Sequence, residues 1–404
     1  MHSPPERLHA LDAVRAFALL LGVAFHAIQS FVPGLPPGLW ATIDNSPSPF
    51  LAGVSFVSHS FRMTLFFFIA GYFARLMHQR LGARAFWLQR AQRIGVPLVV
   101  GWILIFPVLA VIWHWGAMKL AGGAPPVAVS PFEGFGAFPL IHLWFLYQLL
   151  WLYAGALLLR GLIVRLDRGE SLRKALDRMT TGALRWPLGA LLLGLPLAAC
   201  LMSLPTWVPQ AGIPTPDRSL IPLLPAAVGY GMAFAFGWLV HRAPHALVAM
   251  RQSWVSHLCL ALFASLTCLT LLGAHPGVAM PSQIKQMFTL AFVVSTWAWS
   301  FALTGLALRF LAGHSALIRY LADASYWIYL AHLPLVTAMQ VWVSTGPLHW
   351  GLKFPFILLA SLALLLLSYH FLVRSTAIGE VLNGRRAVRH TLAAAHTGHR
   401  SEAS

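Results

Sequence analysis

Ten stretches of this chain are each long and apolar enough to cross a lipid bilayer, and no other feature restricts its fold so severely. They fall at about residues 11–31, 54–76, 94–115, 141–163, 186–204, 220–240, 255–272, 284–306, 317–343 and 354–372. A helix needs about 20 mostly apolar residues to span the hydrocarbon core. In lipid, backbone polar groups must be satisfied internally, which leaves helices or a closed barrel. Stretches of this length read as helices. The expected fold is therefore all-α, a polytopic membrane helical bundle of about ten transmembrane helices. The fifth and sixth stretches are the least regular, interrupted by Pro187 and Pro196 and by Pro222 and Pro225. The first is too long for a signal-peptide core and lacks a small-residue cleavage site, so it is expected to stay as a helix.

Composition agrees with membrane burial. Of 404 residues, 58% are hydrophobic and 10% charged, whereas a soluble domain carries about 25% charged residues. The formal net charge of +17 would suit nucleic acid only if the cations clustered on one wet surface. Here they fall in short groups between apolar stretches, as in loops facing an anionic membrane surface. A lipid bilayer is the expected partner, and nucleic acid is not. Cys200, Cys259 and Cys268 lie within apolar stretches and form no C-x-x-C pair, so neither a metal nor a redox site is expected.

Orientation follows from Lys and Arg counted by connection. Alternate connections hold Arg75, Arg80, Arg84 and Arg90, then a run from Arg160 to Arg185, then Arg242 with Arg251, and Arg309 with Arg319. The intervening ones hold only Lys119, Arg218, Lys285 and, near a helix end, Lys353. Both termini are therefore expected in the cytoplasm. Residues 1–384 are expected to form one membrane domain, and 385–404 a disordered cytoplasmic tail. The outer connections 32–53 and 117–139 are rich in Pro, Gly and Trp and read as ordered loops with aromatic anchors.

Ionisable groups at membrane depth read as functional. In the first stretch Asp12, Arg15 and His26 share one helical face, and Asp12 and Arg15 are spaced to pair. His26 lies about 22 Å beyond Leu11 along a helix, in the outer half of the bilayer. A packing histidine bonded to a neighbouring helix accounts for it equally well. His59-Ser-Phe-Arg62 opens the second stretch, where Arg62 could also snorkel outward. Gly71 would permit close helix contact. Arg90 and Arg93, one turn apart before Pro97, could grip phosphates by forked hydrogen bonds or serve as inner-face anchors. His142 and Trp144 open the fourth stretch, where Trp144 alone reads as an interfacial anchor. In the ninth, Ser325, Tyr329 and His332 share a face, with Asp323 and Tyr326 nearby. His332 falls at the depth estimated for His26. Membrane carboxylates are nearly absent, which weighs against a proton-coupled transporter.

In order and spacing these motifs resemble the membrane-bound acyltransferase-3 family: Leu11-Asp12, Arg15 and His26; Phe66-Phe67-Phe68 to Gly71; Arg90-x-x-Arg93 with Pro97; and Ser325-Tyr326, Tyr329-x-x-His332-x-Pro334. A branch that acts on periplasmic glucans is similar in His59-Ser-Phe-Arg62-Met63, His142-Leu-Trp144 and Val373-Arg374 to Gly384. The resemblance implies an enzyme that succinylates osmoregulated periplasmic glucans, with succinyl-CoA as donor. Related members place acetyl groups, from acetyl-CoA, on O-antigen and other envelope polysaccharides. It implies His26 as base, Arg15, Arg90 and Arg93 as donor-binding groups, and Arg62 and His332 as partners of the acyl carboxylate or the oxyanion. Tyr326 and Tyr329 would orient these, with Asp12, His59, His142 and Trp144 in support; Trp144 and nearby outer aromatics are candidates to stack on a sugar. No tightly bound cofactor is expected, and a glucan synthase is a candidate partner. A transporter of donor or glycan, or an assembly scaffold, remains the competing class.

Overall fold

A computed structural model describes residues 9–36, 38–122, 137–186, 188–243, 245–274 and 280–383. The expected tail at 385–404 and most of the second outer connection lie outside these residues. Twelve α-helices are present among the described residues: α1 His9–Ile28, α2 Pro49–Arg90, α3 Val96–Leu120, α4 Trp144–Leu166, α5 Ser171–Arg185, α6 Gly189–Met202, α7 Leu224–Arg242, α8 Ala246–Ala274, α9 Ser282–Phe310, α10 Ala316–Val343, α11 Trp350–Ser368 and α12 Ala377–Asn383. They contain no strand, only one antiparallel bridge between Ala137 and Ser219. The chain is an all-helical membrane protein.

Each of the ten apolar stretches coincides with a helix, but the helices do not sort into ten equal spans. Seven helical runs are long and apolar enough to cross a membrane, and the bent pair α5 and α6 brings the total to eight. One run, Pro49–Leu120, is 72 residues long. At 1.5 Å per residue it would reach about 108 Å, several times the thickness of a bilayer core. It joins two of the expected stretches, because the connection read as a basic loop is itself helical. The joint is Gly82, at φ 76° and ψ 170°, a conformation that costs glycine little and other residues much. A π-helical turn, Ala91–Gly95, leads into α3. The fifth stretch shortens to the 14 residues of α6, and α10 is a continuous helix that is not among the seven.

The connection after α4, expected as an irregular basic loop, instead folds into α5. Thr180 and Leu184 are buried on one face, while Lys174, Arg178 and Arg185 are exposed. Arg173 anchors its start through Asp167 at 3.1 Å and Glu170 at 3.3 Å. The many cations lower the mean hydropathy of this strongly amphipathic stretch, so apolar run length gave no sign of a helix.

Small residues set the tightest helix contacts. A Cβ on Gly71 would lie 1.9 Å from the Phe234 carbonyl oxygen, and one on Gly237 would lie 1.9 Å from that of Phe68. α2 and α7 therefore touch backbone to backbone at two reciprocal points, the close approach expected for Gly71. Gly116 of α3 likewise receives the Ala41 carbonyl, which brings the first outer connection down on the bundle. That connection is pinned at its far end by Lys353 of α11. Its ammonium group bonds Asp44 at 2.9 Å and Asn45 at 2.7 Å, with the Lys353 and Asp44 side chains each 1% exposed. The three cysteines are unpaired.

Candidate active site

One cavity of about 1460 Å³ runs through the bundle, and every site residue singled out from the sequence lines it. Asp12, Arg15, Arg90, Arg93 and Asp323 line the end near the starts of α1, α3 and α10. Trp40, Trp113, His114 and Arg218 line the other. Between them lie His26, Arg62, His142 and His332.

The middle of the cavity is a cluster of imidazoles and one guanidinium. The His332 ring centroid is 5.1 Å from that of His26 and 5.4 Å from that of His142. Arg62 is 5% exposed, with its guanidinium over the Phe25 ring at 4.2 Å and beside Gly22, where any side chain would stand against it. It does not snorkel outward. Phe25 in turn stacks on His59 at 4.8 Å.

The hydrogen-bond partners decide what each ring offers. His332 Nδ1 lies 2.7 Å from the Tyr329 carbonyl and 3.1 Å from that of Ile328. Carbonyls only accept, so Nδ1 carries the proton and Nε2 is bare. His142 Nε2 lies 3.1 Å from the Leu330 carbonyl, so its Nδ1 is the bare nitrogen. His26 Nδ1, His142 Nδ1, His332 Nε2 and Arg62 Nη1 are all buried without a hydrogen-bond partner among the described residues. Buried polar atoms are seldom left so. In their neutral forms His142 and His332 present acceptors to the cavity, and Arg62 presents a donor. His332 would meet a carboxylate or an oxyanion, the role expected of it, after gaining a second proton.

Two prolines create the backbone acceptors that hold this arrangement. A proline inside a helix has no N–H for the carbonyl four residues back. Pro334 thereby frees the Leu330 carbonyl, the one that His142 uses. Pro97 does the same for Arg93, whose carbonyl accepts the Tyr326 hydroxyl at 2.6 Å. The Tyr329 hydroxyl donates to the His142 carbonyl at 2.7 Å. Tyr326 and Tyr329 of α10 thus tie its neighbours in place.

At the first end, Arg15 pairs with Asp12 at 3.4 Å and donates to the Ala322 carbonyl at 2.9 Å, joining α1 to α10. Arg90 donates to Gln89 at 2.7 Å and lies against the Phe86 and Tyr153 rings. At the other end, two residues unremarked in the sequence complete the site. The Trp40 ring stacks on His26 at 5.6 Å with an interplanar angle of 8°, and its N–H donates to Gln340 Oε1 at 2.8 Å. Gln340 Nε2 donates in turn to the His26 and Ala27 carbonyls at 3.0 and 2.9 Å. Those carbonyls belong to the last turn of α1, which has no intrahelical donors for them. An amide within an apolar span was the available signal for Gln340; nothing in the sequence placed Trp40 on His26. Trp144, read as an anchor, is 8% exposed and stacks on Tyr230 at 5.5 Å, one edge reaching the cavity.

The sequence pattern of the acyltransferase-3 family, described as an acyltransferase domain, matches residues 8–370. Curated proteins similar to this chain include glucans biosynthesis protein C of Escherichia coli O1:K1 / APEC and of Escherichia coli O157:H7 (strain EC4115 / EHEC). Each is 34% identical over 102 residues, 24% of this chain and 24% of the relative. The match thus spans about a quarter of those relatives' length. No solved structure matches the chain.

Proposed function

Since this chain belongs to the acyltransferase-3 family, we propose that it is a membrane-bound O-acyltransferase that moves a succinyl group from cytoplasmic succinyl-CoA to hydroxyls of periplasmic glucans. The observation that carries this reading is the single cavity joining an arginine-lined end to a cluster of bare imidazole nitrogens. Its volume exceeds the several hundred cubic ångströms of an ordinary ligand pocket, so donor and acceptor have room to meet. In this reading the bundle crosses the inner membrane ten times with both termini in the cytoplasm, and the arginine-lined end faces the donor.

Arg90, Arg93 and Arg15 hold the CoA phosphates, for which guanidinium forks are suited. The acceptor hydroxyl loses its proton to His26 as its oxygen attacks the thioester carbonyl. The C–S bond then breaks and the thiolate leaves, taking the proton back from the imidazolium. His332 and His142, as acceptors, orient the hydroxyl. Arg62 donates either to the oxyanion or to the free carboxylate of a succinyl chain. That second role favours succinyl over acetyl, since an acetyl group gives a buried cation no counter-charge.

The test is the covalent mass of the glucan. A strain lacking this protein is complemented with wild type, His26→Ala or Arg93→Ala, with expression checked in membranes. A succinyl increment with wild type, lost in both variants, is expected. An acetyl increment would keep the enzyme and remove the succinyl assignment. Glucans of unchanged mass in every strain would remove the glucan acceptor, and lipopolysaccharide would be examined next. A change of location without a change of mass would make the protein a transporter.

A further inference from the structure

A second cationic cluster lies outside the cavity, where the basic end of α2 meets α4, α5 and α7. The Arg75 guanidinium stands over the Trp238 ring at 5.4 Å, and the His78 ring lies 5.6 Å from the same indole. Arg75 feels the like charges of Arg160 and Arg242, and His241 stacks edge-on against Tyr72 at 4.8 Å. The one carboxylate acting on Arg75 is Asp177, already held by Arg242 Nε at 2.8 Å. Arg75 thus faces two like charges and one carboxylate that is already paired with Arg242.

The cluster also leaves buried nitrogens unfilled. Nε of Arg75 and of Arg160, and Nδ1 of His78 and of His241, are buried without a hydrogen-bond partner among the described residues. Uncompensated like charge and unfilled buried nitrogens, together, call for an anion rich in acceptors, and a phosphate group supplies both needs. None of these residues lines the catalytic cavity. The fully buried Phe86 ring stands between them, 5.7 Å from the Arg90 guanidinium on one side and 6.1 Å from His78 on the other.

The surroundings identify the source of the phosphate. α5 turns through 106° from α6 and leaves Met179 and Leu172 exposed beside its cations, as a helix lying in a membrane interface does. On α4, Leu158, Leu159 and Leu162 around Arg160 are exposed, Leu158 to 76%. An acyl chain can lie along these leucines while its headgroup reaches the cations. We propose that this cluster is a binding site for the phosphate of an anionic glycerophospholipid, separate from the donor site. Basic pockets between membrane helices recognise such headgroups elsewhere.

Purified full-length protein in nanodiscs would be compared in zwitterionic lipid alone and with added phosphatidylglycerol or cardiolipin. Thermal unfolding and native mass spectrometry are the readouts. Wild type should gain a retained lipid and a rise in Tm with the anionic lipids. The double variant Arg75→Gln, Arg160→Gln should lose both, Arg160→Lys should keep most of the effect, and Arg90→Gln should behave as wild type. Equal lipid retention by wild type and the double variant would overturn the proposal. So would an equal rise in Tm on adding inorganic phosphate or 3′-phosphoadenosine without lipid, which would assign the cluster to a soluble anion. If the double variant fails to fold, the single variant Arg160→Gln decides: lipid retention equal to that of wild type and of Arg160→Lys would overturn the proposal. The glucan-mass experiment does not depend on this result.

Discussion

Leu330 and Arg93 each stand four residues before a proline, so their carbonyls lack the usual i+4 N–H, and a site side chain meets each. Proline chemistry thus converts a helix defect into a fixed ring orientation. Pro334→Ala restores the missing N–H and competes with His142 for Leu330. Thermal stability should hold or rise, while acyl transfer falls on the order of 10-fold to 100-fold, as expected when a reacting group is misplaced. Unchanged kcat would show that His142 keeps its orientation by packing alone. His26 is held differently, between Trp40 on its face and Gln340 on its carbonyl. Trp40→Phe keeps a ring on the imidazole and loses the bond to Gln340, whereas Trp40→Ala loses both. A graded fall in kcat, smaller for Phe, is expected with the KM for donor little changed. Wild-type kcat in both variants would reduce Trp40 to a packing residue.

Contacts between elements concentrate at a few positions. The α2 and α7 backbones meet at Gly71 and Gly237, where a methyl group would overlap a carbonyl oxygen and force the helices apart. Overpacking of this kind costs about 1–3 kcal/mol, so Gly237→Ala should lower Tm; an unchanged Tm would mean the helices shift freely. The outer connection depends on the Lys353–Asp44 pair, buried on both sides. Removing one partner of a buried pair costs about 3–5 kcal/mol, because the other charge stays behind without compensation. Lys353→Met should therefore be strongly destabilising, and Lys353→Met with Asp44→Leu much less so. Similar unfolding of single and double variants would show water entering the site to replace the lysine.

For the whole molecule, the decisive property is that one cavity joins two chemically different ends. Its use as a transfer path depends on the two ends facing opposite sides of the membrane. Cysteines introduced at Asn45 and Arg168 sit at connections of opposite expected orientation. A membrane-impermeant thiol reagent applied to whole cells with a permeabilised outer membrane should label the first and spare the second. The reverse pattern would put the arginine-lined end outside, away from cytoplasmic CoA, and the proposed donor route would fail.

Much of this was legible in the chain itself. Apolar run length placed a helix at all ten stretches, because burial in lipid demands it whatever the tertiary contacts. Helical periodicity put Asp12 and His26 on one face of α1, and Ser325 and His332 on one face of α10. Run length could not reveal α5, whose apolar face is too narrow to register as a span, nor that the basic segment is helical on both sides of a kink at Gly82. Only the tertiary structure decided that α1, α2, the turn before α4 and α10 bring their histidines and Arg62 into one cluster. It alone brought Trp40 and Gln340 to His26, and set which nitrogen of His142 and His332 is bare. Those outcomes rest on contacts between residues as much as 314 positions apart, and local periodicity carries no information at that range.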